Sequence, residues 1–153
     1  MTPGQLVRTL YERYQARNWS DAALLLHEDS MVLMPATNEQ LLGRDQVIGM
    51  QRDYPEPWGD LQVLRVIGDE RGAVAELEVV AQAAVFRCAA FWDVDEGLLH
   101  RGVEYWVTVG GEEPPPDRRR TTANEAGMQP ANVYVRFMRT TPVATGAERK
   151  QRT

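Results

Sequence analysis

Between residues 61 and 109 the chain presents four strand-like runs with no stretch between them long enough for a helix. They cover 61–67, 73–82, 85–94 and 98–109, and the breaks include Gly68-Asp-Glu-Arg-Gly72 and Asp95-Glu-Gly97, which are turn chemistry. Strands paired in parallel need a crossover of a dozen or more residues, so short turns force neighbouring runs to pair antiparallel. An antiparallel meander is therefore expected over this half of the chain.

The first half reads as helices around one short hairpin. Leu6, Val7, Leu10, Tyr11 and Tyr14 recur at three- and four-residue steps, which predicts an amphipathic helix over 3–17, with Pro3 in its first turn. Asn18-Trp19-Ser20 interrupts it, and Ser20 or Asp21 can cap a short second helix carrying Ala22, Ala23, Leu24 and Leu26. A strand over 30–34 stops at Pro35, with 39–42 as its partner, and a third helix is expected over 44–54 with Val47, Ile48 and Met50 inward. Helices gathered on one face of an antiparallel sheet give an α+β domain. A curved sheet wrapped over them makes a cone with an apolar interior, the kind of concave place that ligands prefer.

Charge divides the chain at residue 113. Residues 1–113 hold 9 Arg, no Lys and 19 acids, net −10; residues 114–153 hold 7 Arg, 1 Lys and 3 acids, net +5. An acidic body disfavours nucleic-acid binding, which needs clustered positive charge. We accordingly expect one domain over 1–113 and a Pro/Arg-rich extension over 114–153, in which 133–138 reads as a short strand and 142–153 as disordered. Cys88 is the only cysteine, which suits a reducing compartment. No window is long and apolar enough for a membrane span and no leader-like segment opens the chain, so a cytoplasmic protein is the expectation.

The run Gly97-Leu-Leu-His-Arg-Gly-Val-Glu-Tyr-Trp106 carries the best chemical signal. Strand alternation puts His100, Gly102, Glu104 and Trp106 on one side and Leu99, Arg101, Val103 and Tyr105 on the other. A carboxylate beside an indole suits a partly dry concavity, where its pKa rises and its proton becomes useful. The plainer reading is a solvated Glu104 with Trp106 as ordinary core.

These segments resemble the SnoaL-like branch of the NTF2-like superfamily over residues 1–118. The resemblance is carried by Leu10-Tyr-Glu-Arg-Tyr14 through Trp19, by His27-Glu-Asp-Ser-Met-Val-Leu-Met-Pro35, by Leu42-Gly-Arg-Asp-Gln-Val-Ile48, and by Gly97 through Trp106. It implies a cone-shaped roll, cystatin-like in outline, and a homodimer through the outer sheet face, where Leu99, Val103, Tyr105 and Val107 supply apolar surface. The ketosteroid-isomerase pattern matches at Tyr14, but Met34 stands where the general base belongs and Ala89 near the second acid. Proton abstraction then has no agent. The epoxide-hydrolase pattern is only caricatured by Asp93, Arg101 and Glu104, since Arg101 faces away from Glu104. In the cyclase pattern Glu104 sits close to the final-strand acid; the accompanying His position is Gly102, with His100 one pleat away.

The resulting expectation is a catalytic set of Glu104, His100 and Tyr14. Trp19, Met34, Met50 and Tyr54 would line the ligand site, and Trp58, Arg87, Phe91 and Trp106 would complete it. Such a lining suits a small apolar or aromatic molecule. The two histidines make no metal-ligand spacing, and there is no phosphate-binding glycine loop or paired nucleophile, so no metal and no cofactor are expected. The alternative is a non-catalytic module with a filled cone that acts by dimerisation or partner binding.

Overall fold

The computed structural model describes residues 1–55 and 59–117. The chain divides into two units, Met1–Glu113 and Pro114–Thr153, and the helices and strands of the described residues all belong to the first. The expected strand at 133–138, the tail at 142–153 and Trp58 lie outside the described residues.

Helix α1 spans Pro3–Gln15 and is closed at its start by a capping box: Thr2 Oγ1 accepts the Gln5 N–H at 3.3 Å, and Gln5 Oε1 accepts the Thr2 N–H at 2.8 Å. Its inward stripe is Leu6, Val7, Leu10, Tyr11 and Tyr14. The helix ends two residues short of the expected 17, because Arg17 turns to a positive φ of 58°. Helix α2 spans Trp19–Ala23. Its cap is Asn18 rather than Ser20 or Asp21: Asn18 Oδ1 accepts the Asp21 N–H at 3.3 Å.

Strands β1 (Leu26–Met34) and β2 (Glu39–Leu42) form the hairpin, α3 (Arg44–Arg52) follows, and β3 (Asp60–Gly68), β4 (Gly72–Val80), β5 (Val85–Asp95) and β6 (Leu98–Thr108) form the meander. β1 begins four residues before the expected start at Ser30. Its polar opening, His27-Glu28-Asp29, is drawn into the sheet because Leu26 pairs with Leu99. The sheet order is β2-β1-β6-β5-β4-β3, so β6 lies between β1, parallel to it, and β5, antiparallel. All other neighbours are antiparallel. Helix α3 and the segment after it carry the chain from one sheet edge to the other.

α1 packs across β3 and β4. The inward residues of β4 (Ala75, Leu77, Val79) and of β5 (Cys88, Ala90, Trp92) bury against the helical stripe. This gives the α+β arrangement expected, a curved, mostly antiparallel sheet over N-terminal helices. Among the described residues no helix is long and apolar enough to cross a membrane.

One irregularity matters to the site. Asp93 pairs with Arg101 but Val94 pairs with Leu99, so His100 is an extra residue on β6. The bulge resets the alternation, and Leu99 turns into the core at 0% exposure. The expected assignment of Leu99 to an outer apolar face is therefore corrected; Val103, Tyr105 and Val107 remain outside.

Candidate functional site

β6 beyond the bulge points Gly102, Glu104 and Trp106 to the side of the sheet that holds the core. They stand opposite Trp92, Ala90 and Cys88 of β5. Gly102 leaves room for its neighbour: a Cβ there would lie 2.9 Å from the Trp92 ring. The large indole thus lies over the missing side chain, aimed at α1.

Three hydrogen bonds link these residues. Trp92 Nε1 donates to the Tyr11 hydroxyl at 2.9 Å, and that hydroxyl donates to Glu104 Oε1 at 2.7 Å. Trp106 Nε1 donates to Glu104 Oε2 at 2.9 Å. The polarity is forced, because an indole can only donate. Tyr11 therefore accepts from Trp92 and turns its single proton toward the carboxyl group. Tyr11, Trp92 and Glu104 are buried, and Trp106 is the member of the set that is partly exposed.

Burial pushes the Glu104 carboxyl up, and the Trp106 and Tyr11 hydrogen bonds pull it back only in part. Among the described residues no Arg, Lys or His forms an ion pair with it. Burial first, and then the charge of Glu104, hold Tyr11 and Tyr14 well above the ordinary phenol range. A buried carboxyl surrounded by donors but without a cation can hold or release a proton, and that proton affinity is set by the protein.

Tyr14 stands beside this set. Its ring meets Tyr11 edge-on, with centroids 5.7 Å apart, and Trp19 lies 6.0 Å away on its other flank. Its hydroxyl is buried and has no hydrogen-bond partner among the described residues. Met34 is buried at the end of β1, and Met50 packs against the core from α3. Glu104, Tyr14 and Met34 thus lie in the interior, with Trp19, Met50 and Trp106 half-buried against it.

Four expected site residues stand elsewhere. Arg87 and Phe91 face outward, since the alternate residues of β5, Cys88, Ala90 and Trp92, face in. Arg87 is ion-paired there with Glu78 and, at 3.6 Å, with Glu76, which also meets Arg65 at 2.7 Å. Phe91 meets Tyr105 edge-on on the same outer face. The bulge sends His100 to a separate group: its ring lies 4.8 Å from that of His27, and Nδ1 lies 3.8 Å from Asp95 Oδ2. Tyr54, just past α3, is 55% exposed. Sequence reasoning missed Tyr11, Trp92 and Gly102. The available signal was the helical stripe, which turns Tyr11 inward as firmly as Tyr14.

A wide-mouthed hollow of about 500 Å³ lies at the β3–β4 turn, lined by Ile67, Asp69, Arg71, Val74, Phe91 and Asp93 among others. Trp92 borders it and Glu104 does not. Among the described residues no group of three or more His, Cys, Asp or Glu side chains could hold a metal ion.

The family model of the SnoaL-like domain matches residues 7–102. A candidate ketosteroid isomerase from Kribbella flavida DSM 17836 is similar at 27% identity and a TM-score of 0.68, covering 80% of this chain and 95% of that one. An NTF2-like protein of unknown function from Burkholderia xenovorans LB400 is similar in fold, with 13% identity, a TM-score of 0.64 and coverage of 77% and 94%. An LEH-like epoxide hydrolase from M. tuberculosis is 14% identical with a TM-score of 0.59, covering 69% of this chain and 82% of that one. A search of curated proteins found no match.

Proposed function

Because this chain belongs to the family of SnoaL-like domains, we propose that it binds a small, largely apolar molecule against the inner face of its sheet and exchanges a proton with it through Glu104. The observation that carries this reading is the state of that side chain. It is 2% exposed, accepts hydrogen bonds on both oxygens, and has its proton affinity raised by burial. A carboxyl kept for structure alone is better replaced by an apolar residue, since burying it costs several kcal/mol, on the order of the penalty for an unpaired ion.

In this reading Glu104 is the acid/base group and Tyr11 holds it in place. The Tyr14 hydroxyl meets a polar atom of the ligand, and Trp19, Met34, Met50 and Trp106 contact its apolar part. Met34 removes the general base that the ketosteroid-isomerase pattern requires, so likeness to the Kribbella protein supports the binding class more than its named reaction. A homodimer joined through the outer face around Phe91, Tyr105 and Val107, all about half exposed, belongs to the same proposal. So does a cytoplasmic setting.

A second reading has its own support. Tyr11, Tyr14, Leu10, Leu26, Leu77 and Leu99 are all fully buried, and the 500 Å³ hollow does not border Glu104. Both facts suit a filled, non-catalytic module. Native mass spectrometry of protein purified from its own host separates the two. A retained small molecule, displaced or left unconverted in Glu104→Gln, supports the ligand reading; a bare chain with wild-type partner binding in Glu104→Gln supports the module.

A further inference from the structure

Hydrogen-bonding capacity around Glu104 leans toward acceptors. Trp92 and Trp106 each have one N–H, and Tyr11 has one O–H. All three protons are engaged, on Tyr11, Glu104 Oε2 and Glu104 Oε1 respectively. What remains is chiefly acceptor capacity, the Tyr14 O–H being the one side-chain donor of this group without a partner among the described residues. A carboxylate offers about four lone-pair positions, and protein donors meet one on each oxygen here. The Tyr14 oxygen, on a residue 1% exposed, has no partner among the described residues.

Charge is out of balance in the same direction. Glu104 has no cationic partner among the described residues. The buried Arg87 is committed to Glu76 and Glu78 on the opposite face, and His100 stands with Asp95. Aromatic rings occupy the neighbourhood instead, with Tyr14 between Tyr11 and Trp19, and Trp106 on the carboxyl itself. The faces of Tyr and Trp rings attract cations, and they do so most strongly away from water.

We propose that the ligand of this site is a small hydrophobic ammonium ion, a protonated primary or secondary amine, whose N–H groups take the vacant acceptor positions on Glu104 and Tyr14. Its positive charge complements the buried carboxylate, and its hydrocarbon part lies against Trp19 and Trp106. Trp106 marks the way in, being the partly exposed member of the bonded set. The assignment rests on the small-molecule reading and adds to it a class of ligand. It also has a definite pH signature. An ammonium ion needs Glu104 ionised, so its affinity falls as pH drops through the titration of Glu104. A carbonyl ligand needs Glu104 protonated and shows the reverse.

The test uses three probes of one shape and different charge: phenethylammonium, phenethyl alcohol and phenylacetate. Each is titrated calorimetrically into the full chain across a pH series. Phenethylammonium is expected to bind about tenfold tighter than the alcohol, with phenylacetate weakest and with the margin shrinking at low pH. Glu104→Gln is expected to bring the cation down to the affinity of the alcohol, and Tyr14→Phe to weaken it several-fold. The wild-type pH series stands by itself should either variant fold poorly. Alcohol or phenylacetate binding as tightly as the cation, or a cation affinity that rises at low pH, overturns the amine assignment and leaves the small-molecule reading in place. Failure of all three to bind overturns the assignment as well; if native mass spectrometry of the host-purified protein also finds no bound molecule, the small-molecule reading falls with it.

Discussion

The hydroxyl of Tyr11, on α1, donates to Glu104 Oε1, on β6, at 2.7 Å across 93 positions of sequence. With Trp92 behind it and Trp106 on the other oxygen, the carboxyl group cannot turn without breaking a buried bond. The orientation of the proposed acid/base group is therefore set by residues that need not touch a ligand.

Tyr11→Phe removes one donor and leaves the volume unchanged. We expect a loss of about 1–3 kcal/mol in unfolding free energy, the cost of stranding buried partners. The same change is expected to push the Glu104 carboxyl still higher, since a donor to its ionised form is gone. Urea unfolding measures the first effect, and carbon NMR of labelled glutamate measures the second. An unmoved Glu104 resonance curve would show that Tyr11 has no hold on its proton.

The raised Glu104 pKa fixes the sign of one pH effect. The native state binds this proton more tightly than the unfolded chain, whose ordinary value is 4.5. The resulting stabilisation is complete below that value and is lost as pH rises through the higher native value. Glu104→Gln removes the titration; its side-chain oxygen can still accept from Trp106, while its NH₂ faces the Tyr11 hydroxyl, whose own proton loses its acceptor. Unfolding free energy measured across pH should thus fall less steeply over that interval in the variant than in the wild type.

Gly102→Ala tests the packing beneath the site. The new Cβ lies 2.9 Å from the Trp92 ring, so the indole must shift and lose its alignment with Tyr11. Overpacking of this kind costs about 1–3 kcal/mol. Thermal melts should show the loss, and near-ultraviolet circular dichroism should show altered tryptophan bands.

Arg87→Met acts on the other face. It leaves Glu78 without its ion-pair partner and Glu76 with Arg65 alone. Breaking a largely buried pair costs about 3–5 kcal/mol, and the partial exposure of the glutamates places the expected loss at the lower end. Binding at Glu104 should be unchanged, because the strand separates the two. A change in ligand affinity equal to that of Glu104→Gln would contradict the outward placement of Arg87.

The meander was legible because turns such as Gly68 to Gly72 leave no room for any other pairing, and the Glu104–Trp106 partnership because two residues on one strand share a face. The parallel insertion of β6 beside β1 was not legible, since no local pattern encodes which distant strand becomes a neighbour. His100 was misplaced by a single-residue bulge, which plain alternation cannot anticipate. Arg87 and Phe91 were drawn inward because β5 carries aromatics on both faces, Phe86 and Trp92 on one and Phe91 on the other, so hydrophobicity gives no contrast. Tyr11 was passed over for Tyr14 because its partner lies on a strand far along the chain. Once β6 stands in place, the helical stripe delivers it there.

β6, the last strand of the described residues, is also the one in the middle of the sheet. A nascent chain ending just before residue 98 holds β2-β1 and β5-β4-β3 as two separate pieces, each with an open edge where β6 belongs. Helix α1 already has β3 and β4 to lie on, but Tyr11 and Trp92 wait without their carboxylate. Completion of the domain is thus a single late closure, in which the same eleven-residue segment joins the two halves and installs the acid between them.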